Sequence, residues 1–462
     1  MLDDDAIASL VADVRGAGFA DARLTERLAG MTSKLAANPT LSFPKVFDSA
    51  GLEGAYRFFG NPQVTPDLIL SGHFEQTRNA AASASTVLVV HDSSTFAFDP
   101  NGEREGLGRV RSTGQAFFGH FSLVVADDGS RCPLGMVAMS TWVRGETAPD
   151  DEKARWWDQV KVAAERLGDR RSLLHVMDRE ADDYALLAHL VEGDHRFIIR
   201  SSHDRLLVES SSLDARKLAQ AVVQIECTVE REAKLSRRVD KGRSPKQKKI
   251  HPARRQRTAR LAVGAMPITL KRPQPQPATL PASLTLNVVR VWEPDPPAGE
   301  EPTEWLLYTT DPIDSAEDLL RVVDRYRARW TVEEYFKALK TGCAFSDRQL
   351  GDYEGLVNAL AVFVPIACRS LALRSIARSN PDAPALRVLD PDELDVLRSL
   401  GRKPLPAHPT VREVLLAVAA LGGHIKWSGD PGWLTISRGF AELLTLTRGW
   451  RAAKLQQTCD QG

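Results

Sequence analysis

The chain has no net charge: 60 Lys and Arg cancel 60 Asp and Glu. Attraction to a polyanion therefore has to come from local patches. Cysteine is scarce, and the five (Cys132, Cys227, Cys343, Cys368 and Cys459) form no C-x-x-C pair. That excludes the usual structural zinc spacing and a disulfide framework, and suits a reducing interior. Long uncharged apolar runs are missing too. The most apolar tract, LVNALAVFVPIACRSLAL, is interrupted by Asn358 and Arg369 and reads as a buried helix, not a membrane span. The opening MLDDDAIASL is acidic where a secretion signal is basic, so the expectation is a cytosolic protein. No internal repeat is found. The 462 residues leave room for about two to four structural units.

Residues 1–77 read as a helical unit, with apolar residues at three- and four-residue spacing in DARLTERLAGMTSKLA and Pro/Gly/Asn breaks in SFPKVFDSAGLEGAYRFFGNP. Three strand candidates follow: STVLVVHDSSTFAF, FSLVVAD and LGMVAMSTWV. Next come a helix (DEKARWWDQVKVAAERLG), a strand (SLLHVMD), a helix (DYALLAHLVEG) and a strand (RFIIRSS). Meandering strands followed by alternating helices and strands give an α/β class, in the order of a ribonuclease-H-like domain. That domain is expected over 78–378, with a β-rich insertion at about 206–312. A helical pattern resumes in SAEDLLRVVDRYRARWTVEEYFKALKTG, with Ser315 as N-cap and Gly342 as stop. Residues 379–462 read as a helical tail.

Two acids follow buried strands. Asp92 stands where an apolar run meets SST, and Asp178 follows LLHVM. Acids at neighbouring strand ends converge on one edge of a sheet, where α/β folds bind ligands. Carboxylates that close repel one another unless a cation lies between them, and hard divalent ions suit such oxygen clusters. Taken singly, each Asp reads equally as a turn or cap residue. In VMDREADDYALLAHL the acids Glu180, Asp182 and Asp183 are expected to cap the helix or face solvent, leaving Asp178 as the ligand.

On one continuous helix, Tyr326, Glu333 and Lys340 share a face, flanked by Arg329 and Lys337, while Glu334, turned about 100° away, is expected to be a bystander. Two readings stand open. The pairs Arg329–Glu333 and Glu333–Lys337 at i,i+4 could simply stabilise a solvated helix. Alternatively, Glu333 completes a metal-binding set, Arg329, Lys337 and Lys340 hold phosphates, and Tyr326 reaches a phosphate or base.

The spacing Tyr326-x2-Arg329-x3-Glu333-x6-Lys340, the block DREAD at 178–182 and Asp92 after its strand together resemble the DDE cut-and-paste transposases of the insertion-sequence-four group, of the Tn-five type. The similarity runs from EGAYRFFGNPQV to LGGHIKWSGDPGW. It implies that Asp92, Asp178 and Glu333 bind Mg2+, with Mn2+ as substitute. It implies that Trp305 stacks on a flipped base where core packing is the plain alternative, that Arg200 assists strand distortion, and that Arg57 reads the DNA end. Arg23 and Arg27 are weaker candidates for that last role. Two departures are DSST after the first acid and Phe336 beside the signature.

The implied activity is binding of inverted terminal ends by a synaptic homodimer, followed by strand nicking, hairpin-mediated excision and strand transfer into target DNA. The C-terminal helices, from about Thr410, would carry the dimer contact, and the protein would lie in the bacterial cytoplasm with the nucleoid. Arg231 to Arg260 adds 13 Lys and Arg against two acids, a local patch whose DNA binding would be strongly salt-dependent. The alternatives are a metal-dependent DNA nuclease without strand transfer, disfavoured by Trp305 and Arg200, and a non-catalytic DNA-binding transposition inhibitor, disfavoured by the presence of all three acids.

Overall fold

A computed structural model describes residues 10–110, 114–144, 153–168, 172–208, 216–235, 237–238, 252–274, 276–425 and 430–460. It is mixed α/β. By packing, the chain divides into two units, one made of Met1–Ser172 with Trp330–Gly462, the other of Leu173–Arg329.

The first unit begins with five helices: α1 (Leu10–Arg15), α2 (Ala22–Ala37), α3 (Phe43–Val46), α4 (Ser49–Phe59) and α5 (Pro66–Ala82). Their starts are encoded locally. Asp21, Asp48 and Thr65 cap α2, α4 and α5 through side-chain oxygens, and Pro66 opens α5 where its missing N–H costs nothing. The chain then enters β1 (Val87–Phe98), β2 (Gly108–Val110), β3 (Gly114–Ala126), β4 (Pro133–Trp142) and α6 (Ala154–Leu167). Strand β3 pairs antiparallel with β1, β2 and β4.

The second unit holds β5 (Leu173–Met177), α7 (Tyr184–Glu192), β6 (Arg196–Arg200), α8 (Leu218–Val222), β7 (Val229–Leu235), β8 (Arg257–Lys271), β9 (Ser283–Trp292), β10 (Glu304–Thr309) and α9 (Ala316–Ala328). Its strands run in the order β5-β6-β10-β9-β8-β7. Among the described residues of this unit, β5 and β6 pair in parallel, and the β6–β10, β10–β9, β9–β8 and β8–β7 pairings are antiparallel. The insertion is thus β-rich as expected, and its strands prolong the sheet of β6 instead of forming a separate one. Strand β8, which the basic composition hid, is buried on both faces over Leu261–Gly264 and alternates at its ends, with Ala259, Ile268 and Leu270 buried between more exposed residues.

The first unit resumes with α10 (Trp330–Lys337), α11 (Tyr353–Ser379), α12 (Pro391–Leu400), α13 (Val411–Leu421) and α14 (Trp433–Asp460). The most apolar window of α11 would suit a membrane by composition, yet 89% of it is buried inside the protein. It is a core helix. Asn358 on it donates to the carbonyls of Phe59 and Val64 at 2.8 and 3.2 Å, tying down the N-terminal helices. Arg348, 3% exposed, donates to the carbonyls of Pro39, Leu41 and Cys343. Buried polar groups tolerate such positions only when bonded, so these carbonyl contacts fix the N-terminal helices on the unit.

Candidate active site

Asp92 lies in the middle of β1, not at its end. The SST segment continues the strand because β3 pairs with it as far as Phe98, and Ser and Thr on one pleated face do not interrupt a ladder. Asp92 stands opposite Phe121, and alternation puts Ser94 and Phe96 on the same face. Helix α10 covers that face: Tyr335 and Phe336 pack on Phe121 with ring centroids 5.8 and 5.4 Å away. This explains Phe336, which fills the layer between helix and sheet. The Asp92 carboxylate accepts the N–H of Ser93 at 2.8 Å. On the opposite face, Ser93 Oγ bonds Nδ1 of buried His120 at 2.8 Å.

The signature helix is not continuous. Helix α9 ends at Ala328, α10 begins at Trp330, and residues Ala338–Gly342 form a π-helical turn closed by the Cys343 N–H on the Ala338 carbonyl at 2.9 Å. Such widened turns recur at functional sites. Lys340, on this turn, reaches back to β1 and donates to Ser94 Oγ and the Thr95 carbonyl, both at 2.7 Å. It also lies over the Phe96 ring, 5.0 Å from the centroid. Burial lowers its pKa, while the negative charge of Asp92 pulls the other way. The lysine and the first acid are therefore neighbours in space, 248 positions apart in the chain.

Glu333 is half-buried in the first turn of α10. Its neighbour Glu334, expected to be a bystander, is itself anchored. It accepts from Lys337 at 2.7 Å and from the Trp433 indole at 3.2 Å, with Arg374 and Arg378 within 3.6 and 3.9 Å. Burial would raise its pKa, but the Lys337 bond and the surrounding cations outweigh that and hold it below the ordinary range. Lys337, predicted to grip phosphate beside Glu333, is thus engaged by Glu334 instead.

In the second unit, Asp178 caps a 3-10 turn (Arg179–Ala181) by accepting the Glu180 N–H at 2.7 Å. Asp183 caps α7, as expected. Asp182 departs from expectation: its carboxylate is fully buried and bonded to Arg205. Tyr326 and Arg329, predicted to contact DNA, are buried at 3% and 8% exposure. The Tyr326 ring meets the half-exposed Trp305 edge-on at 5.6 Å. Burial raises the Tyr326 pKa, Arg200 and Arg329 oppose that, and Asp178 adds to it. These five residues converge. Arg200 ends β6 opposite Leu307 and donates to the Glu304 carbonyl at 3.3 Å, beside Trp305. Helix α9 is held there by Asp311, 2% exposed, which accepts from Arg325 at 2.6 Å and from Arg196 at 2.8 and 3.0 Å.

Among the described residues, no group of three or more His, Cys, Asp or Glu side chains stands at metal-binding separation. The donor chemistry nevertheless fits a hard divalent ion. Asp92, Asp178 and Glu333 are oxygen donors, each half-exposed, so binding would not demand a buried bare charge.

Of the end-recognition candidates, Arg57 is exposed on α4 and pairs with Glu53 at 2.5 Å, while Arg23 pairs with Asp21 at 2.9 Å. Arg27 lies against Gly54, where an added Cβ would come within 2.6 Å of its guanidinium. Arg23, Arg27 and Lys34 line one groove with Phe47 and Gly51. In the basic tract, residues 236 and 239–251 lie outside the described residues. Three of its arginines are committed within the fold: Arg231 to Asp324 at 2.9 Å, Arg260 to Glu230 at 2.7 Å, and Arg257 to buried Glu293.

Comparison with known proteins places these features. Residues 9–64 match the family described as transposase DNA-binding, and residues 84–363 match the transposase DDE domain. The chain is also similar to one in the cryo-EM structure of a piggyBac transposase synaptic complex with hairpin DNA. That likeness has 9% identity, covers 82% of this chain and 76% of that one, and has a TM-score of 0.38, too slight to carry an argument. The DDE match spans more than half of the 462 residues. The protein belongs to the transposase DDE-domain family, with a transposase DNA-binding domain preceding the catalytic one.

Proposed function

We propose that this is a cut-and-paste transposase of the insertion-sequence-four group, with a ribonuclease-H-like catalytic domain acting on the inverted ends of its element as a homodimer. Asp92, Asp178 and Glu333 would hold Mg2+, or Mn2+ in its place. Bound there, the ion would offset negative charge developing on the phosphate oxygens.

Water attacks the end phosphodiester, and the leaving 3′ oxygen takes up a proton to give a 3′-OH. That hydroxyl attacks the opposite strand, closing a hairpin and releasing the flanking DNA. A second water reopens the hairpin, and the 3′-OH then displaces a 3′ oxygen in target DNA. Lys340, steadied by Ser94, holds a phosphate beside Asp92. Trp305 and Arg200, seated on Tyr326 and Arg329, take the distorted strand, where stacking on an indole offsets about 1–3 kcal/mol of unstacking. Arg57 and the α2 groove contact the end sequence, and the C-terminal helices carry the dimer.

The observation that carries the reading is the gathering of signature residues at acids. Lys340 returns to the Asp92 strand, and Tyr326 collects Trp305, Arg200, Arg329 and Asp178. The test mixes purified protein, Mg2+ and linear DNA bearing the flanking inverted repeats. Nicked and hairpin products are expected. Absence of both, or the same products from Asp92→Ala, would overturn the assignment.

A further inference from the structure

We infer that Asp182 is a positioning residue, whose buried carboxylate holds the strand end carrying Arg200 and so sets the geometry of the Trp305 stacking site. The inference rests on the transposase reading above.

The 3-10 turn that Asp178 opens closes at Asp182, four residues on. From there one carboxylate, 0% exposed, spans to the residues after β6. Its Oδ2 accepts the N–H groups of Ser202 and His203 at 2.6 and 2.9 Å. Its Oδ1 accepts Nε and an Nη of Arg205 at 3.0 and 2.6 Å, and its backbone carbonyl takes the same Nη at 2.8 Å. Arg205 is 8% exposed. A second strut continues the frame: Ser201 donates its N–H to the Leu306 carbonyl at 2.8 Å and its hydroxyl to Tyr308 at 3.0 Å. Leu306 follows Trp305 directly. Asp182 thus ties the Asp178 turn to the residues after β6, and Ser201 ties those residues to the strand that carries Trp305.

Well-packed apolar side chains would hold the fold about as well as a buried ion pair. What the Asp182–Arg205 pair adds is direction. Two backbone N–H groups and a planar fork converge on one carboxylate, which fixes the direction in which the Arg200 strand end leaves the sheet. Strand distortion depends on that geometry more than hydrolysis of the first phosphodiester does.

The test uses the full chain and end DNA carrying 2-aminopurine at the terminal base pairs, whose fluorescence reports unstacking. Asp182→Asn keeps one acceptor and places its NH2 against either the two N–H groups or the guanidinium, so one side of the clamp is lost. Below its melting temperature it is expected to nick within about threefold of wild type, while the unstacking signal and the hairpin-to-nick ratio fall about tenfold or more. Arg205→Lys, which keeps the charge and loses the fork, should fall between. A wild-type hairpin-to-nick ratio in Asp182→Asn, or parallel loss of nick and hairpin, overturns the inference. If Asp182→Asn does not fold, an unchanged ratio in Arg205→Lys overturns it equally. Failure of the transposase reading looks different, since wild type itself would then form neither product.

Discussion

Adjacent glutamates on α10 should fail in opposite ways when neutralised. In Glu334→Gln the shape is kept and the charge removed. The Lys337 contribution is small, because that side chain is 56% exposed and such pairs give about 0–1 kcal/mol. Gln can still accept the Trp433 indole N–H, so that bond survives. The main loss is at Arg374, 14% exposed, which keeps its burial and loses its nearest acid, at about 1–3 kcal/mol. For a unit of this size, each kcal/mol lowers the melting temperature by about 2 °C, giving a drop of about 2–6 °C. Cleavage below that temperature should persist.

Glu333→Gln, by contrast, should lose at least about 10³-fold in nicking when assayed below its own melting temperature, roughly 4 kcal/mol of barrier. Differential scanning fluorimetry and a labelled-duplex nicking assay measure both. The reasoning fails if Glu334→Gln abolishes nicking without lowering the melting temperature, or if Glu333→Gln nicks at the wild-type rate.

Trp305→Ala should lower hairpin yield by about 5- to 100-fold with nicking retained, as expected for loss of about 1–3 kcal/mol of stacking; equal yields from gel quantitation would refute the stacking role. Ser94→Ala should slow nicking by about 2- to 10-fold, the value of one bond steadying Lys340, and an unchanged single-turnover rate would count against Lys340 acting beside Asp92. Acid should weaken both units through buried histidines. Burial, with a smaller push from Arg155, lowers the His120 pKa to about 3, and burial with His195 does the same to His175. The folded values lie below the unfolded value of about 6.5, so the stabilisation is present above that pH and is lost on acidification, about 2 kcal/mol per histidine by pH 5. Melting curves of His120→Asn should show a shallower pH dependence than wild type; parallel curves would contradict this.

Much of the architecture was legible because it is local. The cap Ser315 sits where a side-chain oxygen meets an orphan N–H group, and the buried strands around Val89 and Val176 are short β-branched runs. What composition hid was decided by partners distant in sequence. The polar SST segment reads as a strand end at Asp92, whereas pairing with β3 carries the strand to Phe98. Asp182 read as a cap, since its arginine lies 23 residues away. Glu334 read as idle because Arg374 and Trp433 come from later helices. Periodicity put Tyr326, Glu333 and Lys340 on one helical face, but the break at Arg329 and the turn after Lys337 depend on tertiary contacts such as Ser437 donating to the Gly342 carbonyl at 2.5 Å.

The turn at Ala338–Gly342 gives the motif spacing a meaning that a count of residues does not have. In an α-helix each residue advances the side chains by about 100°; a turn bonded five residues apart advances less, so it works as a vernier between Glu333 and the lysine seven positions on. Deleting Leu339 would shorten the chain by one residue and let the segment relax into an ordinary α-helix. The side chain delivered to Ser94 would then be that of Thr341, and a gap of one position would remove a positive charge from beside Asp92 without any substitution.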